Sequence, residues 1–275
     1  MLVVGQLDYD QGSTMVTVWD PTREPFAHAQ RLDVTGGPLL AVSAAVGPKG
    51  SLMVGAVPTA GHINAVAVAE MGKHLMAVVA DRDESWTGGR LRLLDLDEGE
   101  MGRTLLTEPA GSAQSVAVAG GRDGRPLAVS GHRDGAIRLW DLDAATEAGA
   151  PRYAHAGELR SVTTATVAGR PVAVTGGDHS VRVWDLSRPD SHRLNGEHAI
   201  PVSVMALAEL GGRQVAVTGG RDGVVRVWDL ATGHLATTID PGTGSEAIAL
   251  ADDGTLLIGG RLGLLALQLH PALFG

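Results

Sequence analysis

Three stretches of this chain are copies of one another, and a repeat constrains a fold more than any local propensity does. They are Ala-Val-Ser-Gly-His-Arg-Asp-Gly-Ala-Ile-Arg-Leu-Trp-Asp-Leu at 128–142, Ala-Val-Thr-Gly-Gly-Asp-His-Ser-Val-Arg-Val-Trp-Asp-Leu at 173–186, and Ala-Val-Thr-Gly-Gly-Arg-Asp-Gly-Val-Val-Arg-Val-Trp-Asp-Leu at 216–230. Their tryptophans, Trp140, Trp184 and Trp228, are each 44 residues apart. Arg-Leu-Arg-Leu-Leu-Asp-Leu at 90–96 continues the series 46 residues upstream, with Leu94 in the tryptophan slot. Val-Thr-Val-Trp-Asp at 16–20 is a further copy, and Leu-Gly-Leu-Leu-Ala-Leu-Gln-Leu at 262–269 reads as a worn last one with Gln268 in that slot. Of the five tryptophans, only Trp86 stands outside the series.

The chemistry of each unit is β. Val-Ala-Val-Ala at 66–69 and 116–119 suits strands packed on both faces. Gly-Gly-Arg-Asp-Gly at 219–223 separates two apolar runs with residues that tolerate positive φ, as a tight hairpin requires. In the strand that follows, Arg226 shares a face with Trp228, and Val225 and Val227 share the other. No segment carries a helical apolar stripe of useful length, and the Ala-rich stretch 143–150 is cut short by Gly149 and Pro151, so a loop is expected there.

A period of 40–46 residues, four short strands per unit and a terminal Trp-Asp resemble the WD-repeat (WD40) β-propeller family. The resemblance is strongest over 107–230 and implies an all-β propeller of four-stranded antiparallel blades in one domain spanning 1–275. The stretch 39–57 reads as two strands around a Gly-Pro-Lys-Gly turn, a blade without its outer hairpin, and brings the count to seven, with six blades as the alternative. Residues 1–60 hold incomplete blades, 61–106, 107–154, 155–197 and 198–241 regular ones, and 242–270 the last. No strand precedes Leu2 to complete the first blade, and none follows His270 to complete the last.

The resemblance also implies a buried hydrogen-bond chain of His, Ser or Thr, Asp and Trp in each regular blade. By position it consists of His198, Thr218, Asp222 and Trp228 in one blade and His155, Thr175, Asp178 and Trp184 in another. A third blade keeps Ser130, Asp134 and Trp140 but has Pro109 at the histidine position, and the blade before it keeps His62 with Ala80 and Leu94. A hydroxyl, an imidazole and a carboxylate in a row could serve nucleophilic catalysis. A constellation that recurs in each blade instead suits a structural network, in which indole donates and carboxylate accepts. In the family, turn residues just before the buried Asp project from the disc. Here they are Arg133 and Arg221, and Arg160 starts a first strand on the same rim, so the three are candidates for binding an acidic partner.

Other fragments carry weaker signals. Gly-Thr-Gly-Ser-Glu-Ala at 242–247 lacks the βαβ context of a dinucleotide loop. Gly-Pro-Lys-Gly-Ser at 47–51 reads as a β-turn, and the stretch 8–12 lacks the glycine and glutamate placement of a calcium loop. Asp81-Arg-Asp-Glu at 81–84 reads as a solvated charged loop. The ten histidines show no paired metal spacing, and no HExxH or GxSxG occurs.

Composition narrows the function. A net charge of −9 disfavours a non-specific nucleic-acid or anionic-membrane binder. With no cysteine, thiol nucleophiles and cysteine-ligated metals are excluded. No apolar run approaches the roughly 18 residues of a membrane span, and no basic leader opens the chain. Only Lys49 and Lys73 are lysines, and this arginine habit with Ala, Gly and Val richness fits a bacterial high-GC genome. The expectation is a monomeric cytoplasmic disc, without catalytic residues, cofactor or metal, that binds protein or peptide partners through its loop face. The alternatives are a propeller enzyme or small-ligand binder using the central channel, and the sensor domain of a larger signalling protein.

Overall fold

A computed structural model describes residues 2–8, 13–20, 27–34, 43–46, 52–55, 62–82, 89–95, 104–108, 113–120, 125–153, 155–188, 196–197, 201–220, 222–242, 244–251, 253–260 and 263–274. Every strand pairing among them is antiparallel, and the one helical element is a 3-10 turn at Pro271–Phe274. The chain groups into two compact units, 1–112 and 113–275.

The first unit contains three sheets. β1 (Leu2–Asp8), β2 (Ser13–Asp20) and β3 (Ala27–Val34) form one, with Leu2 opposite Trp19. β4 (Ser43–Val46) and β5 (Leu52–Gly55) pair as the hairpin expected around 47–51, whose turn itself lies outside the described residues. β6 (His62–Met71), β7 (His74–Arg82), β8 (Gly89–Asp95) and β9 (Thr104–Glu108) form a complete four-stranded sheet, in which β9 runs past the expected boundary at 106. Val66 to Ala69 are all buried, as a strand of small and branched apolar residues packed on both faces should be.

The second unit contains four sheets. β10 (Ala113–Gly120), β11 (Pro126–His132) and β12 (Ala136–Asp141) carry an outer edge in two pieces, β13 (Thr146–Glu147) and β14 (Arg152–Tyr153). Residues 143–150 are therefore turns around a two-residue strand, and no helix forms there. β15 (Ser161–Val167), β16 (Arg170–Gly176), β17 (Ser180–Asp185) and β18 (Gly196–Glu197) form the next sheet. It is followed by β19 (Val202–Leu210), β20 (Arg213–Gly220), β21 (Val225–Asp229) and β22 (Leu235–Ile239). β23 (Ser245–Leu250), β24 (Thr255–Gly260) and β25 (Gly263–Gln268) form a three-stranded last sheet.

The core of this unit lies between the sheets. Val129, Ile137 and Leu139 pack on Leu159, just before β15, and on Val162 and Trp184 of the following sheet. Val174, Val181 and Val183 likewise meet Val202, Ala216 and Trp228, and Val215, Val217 and Val227 meet Leu256, Ile258 and Leu269. Trp184 and Trp228 thus fill the gap between their own sheet and the one before. An indole buried this way removes on the order of 150–250 Å² from water, roughly 4–6 kcal/mol before the entropy of ordering it. The first strands of successive sheets lie side by side. β10 and β15 are linked by Val162 N–H donating to Ser115 Oγ at 2.8 Å and Thr164 Oγ1 donating to the Val118 carbonyl at 2.6 Å.

The register corrects one sequence reading. Leu142, Leu186, Leu230 and Leu269 each donate a backbone N–H to the residue preceding the opposite stretch of second strand or beginning it: Pro126, Pro171, Gln214 and Gly254. Thr255 lies opposite Gln268 as Val215 lies opposite Asp229, and Leu256 lies opposite Leu267 as Ala216 lies opposite Trp228. The tryptophan slot of the last sheet therefore belongs to Leu267, and Gln268 occupies the aspartate slot. Without an indole to mark it, the slot was misread by one residue, which in a strand exchanges the two faces.

Candidate functional site

The described residues among those nominated by sequence fall at two places: a buried polar chain inside the sheets, and Arg133 and Arg160 beside Glu158. In the sheet β15–β18, β16 carries Thr175, β17 carries Trp184, and the turn between these strands carries Asp178. His155 comes from the loop before β15. Trp184 Nε1 donates to Thr175 Oγ1 at 3.0 Å, Thr175 Oγ1 lies 2.9 Å from His155 Nε2, and His155 Nδ1 lies 2.9 Å from Asp178 Oδ1. The carboxylate can only accept, so the network assigns the proton to Nδ1 and leaves Nε2 to accept from the Thr175 hydroxyl. Asp178 also accepts from the Ala156 N–H at 2.9 Å and the Ser180 hydroxyl at 2.9 Å. Burial lowers the pKa of His155 and outweighs the opposing pull of Asp178, which favours the neutral ring. Burial alone would raise Asp178, but hydrogen bonds from His155, the Ala156 N–H and Ser180 overcome it and hold its carboxyl well below the usual carboxylate range.

The neighbouring sheets vary this chain. In β19–β22, Trp228 Nε1 donates to Thr218 Oγ1 at 2.8 Å, and Asp222 Oδ1 accepts from the Val224 N–H at 3.2 Å. His198 lies outside the described residues. In β10–β14, Trp140 Nε1 donates to Ser130 Oγ at 2.8 Å, and Ser130 Oγ lies 2.7 Å from Nε2 of His132, a fully buried ring. Asp134 accepts from the Ala136 N–H at 3.0 Å and from Arg138 at 3.4 Å. His132 was missed by sequence reasoning, which looked for the imidazole upstream and found Pro109, a residue outside the described set. The signal was present: His132 stands where the other two copies have Gly177 and Gly220.

The sheet β6–β9 abandons the chain altogether. With Ala80 and Leu94 in the hydroxyl and indole slots, Asp81 is fully buried in β7 and binds both Arg90 and Arg92 of β8. The reading of Asp81 as part of a solvated loop is thus overturned. Two guanidiniums on the adjacent strand give the carboxylate the partners that burial demands. Trp86 lies outside the described residues.

At the other end of the strands, the Asp of the Trp-Asp pair caps the next turn in three sheets. Asp141 accepts from the Ala144 N–H at 2.9 Å, Asp185 from the Ser187 N–H at 2.9 Å and Asp229 from the Ala231 N–H at 2.8 Å. A basic side chain from the start of the second strand lies beside this position: Arg213 binds Asp229 at 2.9 Å, Arg170 lies 3.7 Å from Asp185, and His74 lies 3.0 Å from Asp95. Hydrogen bonds from the Thr232 and Ala231 N–H groups and from Arg213 hold Asp229 below its ordinary pKa against the upward push of burial. A groove of about 470 Å³ opens at this end, lined by Gly120, Thr166, Ala168, Arg170 and Ser187 among others. It lies a strand length away from the imidazoles.

Two of the nominated arginines meet. Arg133, in the turn after β11, and Arg160, before β15, both approach Glu158, with Arg160 Nη2 at 2.9 Å from Oε2 and Arg133 Nε at 3.7 Å from Oε1. Both guanidiniums stay about half exposed. Arg221 lies outside the described residues. The described part of the patch therefore contains its own carboxylate. Among the described residues, no three His, Asp or Glu side chains are grouped to hold a metal ion, and no helix is long and apolar enough to cross a membrane.

Residues 193–229 match the family model of the WD domain, G-beta repeat. The chain carries WD repeats. Relatives support this over more of its length. It is 33% identical over 146 residues to the U3 small nucleolar RNA-associated protein 15 homolog of Gallus gallus, covering 53% of this chain and 26% of that protein. It is 28% identical over 172 residues to the Angio-associated migratory cell protein of Homo sapiens, covering 61% and 37%. It is 27% identical over 143 residues to the Target of rapamycin complex subunit wat1 of Schizosaccharomyces pombe, covering 50% and 43%. The WD-repeat chain thus aligns with less than half of each of these proteins.

Proposed function

We propose that this WD-repeat chain is a non-enzymatic protein-interaction scaffold, a seven-bladed propeller disc that binds an acidic protein or peptide segment through its loop face. One observation carries the reading: the hydroxyl–indole pair recurs in three successive sheets with a buried imidazole joined to it in two. Nucleophilic catalysis needs one exposed constellation, and a repeated buried one instead sets each sheet rigidly and frees the loops to vary. A rigid disc presents loop residues with little ordering cost on binding. A relative named as a subunit of a complex agrees with such a role. The net charge of −9 argues that RNA is not the partner here, whatever the RNA-associated relative contacts. The disc works as a cytoplasmic monomer in this reading.

Arg133, Arg160 and Arg221 are the candidate docking residues, and an incoming carboxylate replaces Glu158 between the guanidiniums of Arg133 and Arg160. The test is binding of a fluorescent Asp/Glu-rich peptide library to the protein and to a variant with all three arginines changed to Ala. Binding that weakens with salt and is lost in a variant of unchanged melting temperature is the expected result. Equal binding by both proteins rules the patch out.

A further inference from the structure

Glu158 is shared between guanidiniums that arrive from two adjacent sheets. Arg133 belongs to the turn between β11 and β12, and Arg160 stands directly before β15. Each guanidinium takes a different oxygen, so a single carboxylate completes the site. The backbone that carries Glu158 is clamped on both sides. The N–H groups of His155 and Leu159 donate to the Gly135 and His132 carbonyls, both at 3.1 Å, and the Arg160 N–H donates to the Gly176 carbonyl at 3.0 Å. The Ala156 N–H donates to Asp178 at 2.9 Å, and the Leu159 side chain is fully buried. A displaced Glu158 can therefore only swing about its own side-chain bonds, and its charge stays beside the site.

That remaining charge selects the partner. Asp134 and Asp178 add two carboxylates to the turns of the same two sheets, each accepting hydrogen bonds from its own sheet or lead-in loop. The surface around Arg133 and Arg160 is thus mixed in sign. A uniformly acidic segment would set its further carboxylates against the displaced Glu158, a like-charge contact that costs affinity. A lysine or arginine next to the incoming carboxylate would instead give Glu158 a new partner. We propose that the loop-face partner is a mixed-charge segment, in which one carboxylate binds Arg133 and Arg160 and an adjacent basic side chain binds the displaced Glu158. This rests on the loop-face reading above and narrows it, because the acidic residue must come with a basic neighbour.

Fluorescent peptides of equal length, repeating Asp-Ser, Asp-Lys or Lys-Ser, are the probes, read by anisotropy with the intact protein. Asp-Lys should bind at least roughly tenfold more tightly than Asp-Ser. Glu158→Gln should erase that preference by tightening Asp-Ser, at an unchanged melting temperature. Glu209→Gln, which alters the net charge equally at an exposed position beside Gln214, should keep it. Lys-Ser measures general attraction to a protein of net charge −9. Changing Arg133 and Arg160 to Ala should not weaken Lys-Ser but should abolish Asp-Lys binding. Equal binding of Asp-Lys and Asp-Ser, or a preference that survives Glu158→Gln, overturns the proposal. If Asp-Ser binding is still lost in the arginine variant, the loop-face reading stands without it. Weaker binding of every peptide to Glu158→Gln also overturns it, by making Glu158 a support for the arginines. Asp-Lys binding that ignores the arginine variant, or no binding of any peptide, overturns both readings.

Discussion

The imidazole of His155 lies directly over Gly177, so closely that a Cβ at Gly177 would sit 2.9 Å from both Cγ and Nδ1 of the ring. His132 occupies the matching strand position one sheet earlier and supplies its ring from the strand itself. The two sheets thus build one polar chain in two ways. At Gly177, just after β16, the preceding loop sends His155 over the glycine. Where the preceding loop has Pro109, the strand position is the histidine.

Gly177→Ala should therefore destabilise the protein by about 1–3 kcal/mol, because the ring must move off its two hydrogen bonds or the strand must shift. In a His155→Ala background the same change should cost far less. A double-mutant cycle by urea denaturation measures the difference, and additive costs would mean that the ring and the glycine do not interact.

The indole pair should behave alike from sheet to sheet. Thr218→Val leaves the Trp228 N–H buried without its acceptor and should cost about 1–3 kcal/mol. Trp228→Ala also empties a space shared with Val183 and Val202 and should cost about 3–5 kcal/mol. Thermal melts that match the parent for both variants would show that the pair does not support the fold.

Acid should weaken this unit in two stages. His155 binds its proton less readily in the folded state than in the unfolded chain, so the unfolded state gains protons first as pH falls below about 6.5. Asp178 has its folded pKa depressed, and its contribution is complete above about pH 4 and lost below that. Stability measured from pH 8 downward should decline below about 6.5 by no more than roughly 1.4 kcal/mol per pH unit from this one histidine. His155→Ala should remove that first decline and keep the second less pronounced. An unaltered profile in the variant would assign the acid sensitivity to other groups.

Ala168 holds a φ of +49°, at a hairpin position where the corresponding turns have Gly72 and Gly211 at +65° and +59°. A left-handed conformation costs an L-residue about 1–2 kcal/mol, and glycine's extra unfolded-state entropy takes back about 0.4–1. Ala168→Gly should thus raise stability by up to about 1.6 kcal/mol, seen as a melting temperature a few degrees higher. A lower one would mean that the methyl group makes a contact worth more than the strain.

Asp81→Ala should be costly for a different reason. It leaves Arg92 buried beside an empty site, and breaking a buried pair this way costs about 3–5 kcal/mol. Asp81→Ala combined with Arg92→Leu should recover much of the loss, as read by chemical denaturation. If the double variant is as unstable as the single one, the carboxylate matters through something other than this pair.

The amino-acid sequence alone determined the strand pattern and the indole partners. Trp140, Trp184 and Trp228 recur at one spacing, and each indole meets a hydroxyl ten or nine residues upstream on the adjacent strand of its own hairpin. Such contacts follow from alternation and a tight turn, both local properties that a repeat makes visible. Tertiary structure decided whatever depended on segments arriving from farther away. Ser130 and Trp140 are legible as a pair, but only the packed sheet shows that His132 completes them. Nothing at 81–84 reveals that Arg90 and Arg92 turn toward Asp81 and allow it to be buried. Arg133 and Arg160 lie in separate loops, and Glu158 between them becomes a partner only once both loops stand on the same end of the stacked sheets. Gln268 and Leu267 are one residue apart, and without an indole the slot was settled by the hydrogen bond from Leu269 to Gly254, because a ladder of backbone bonds permits one register and a string of apolar residues permits several.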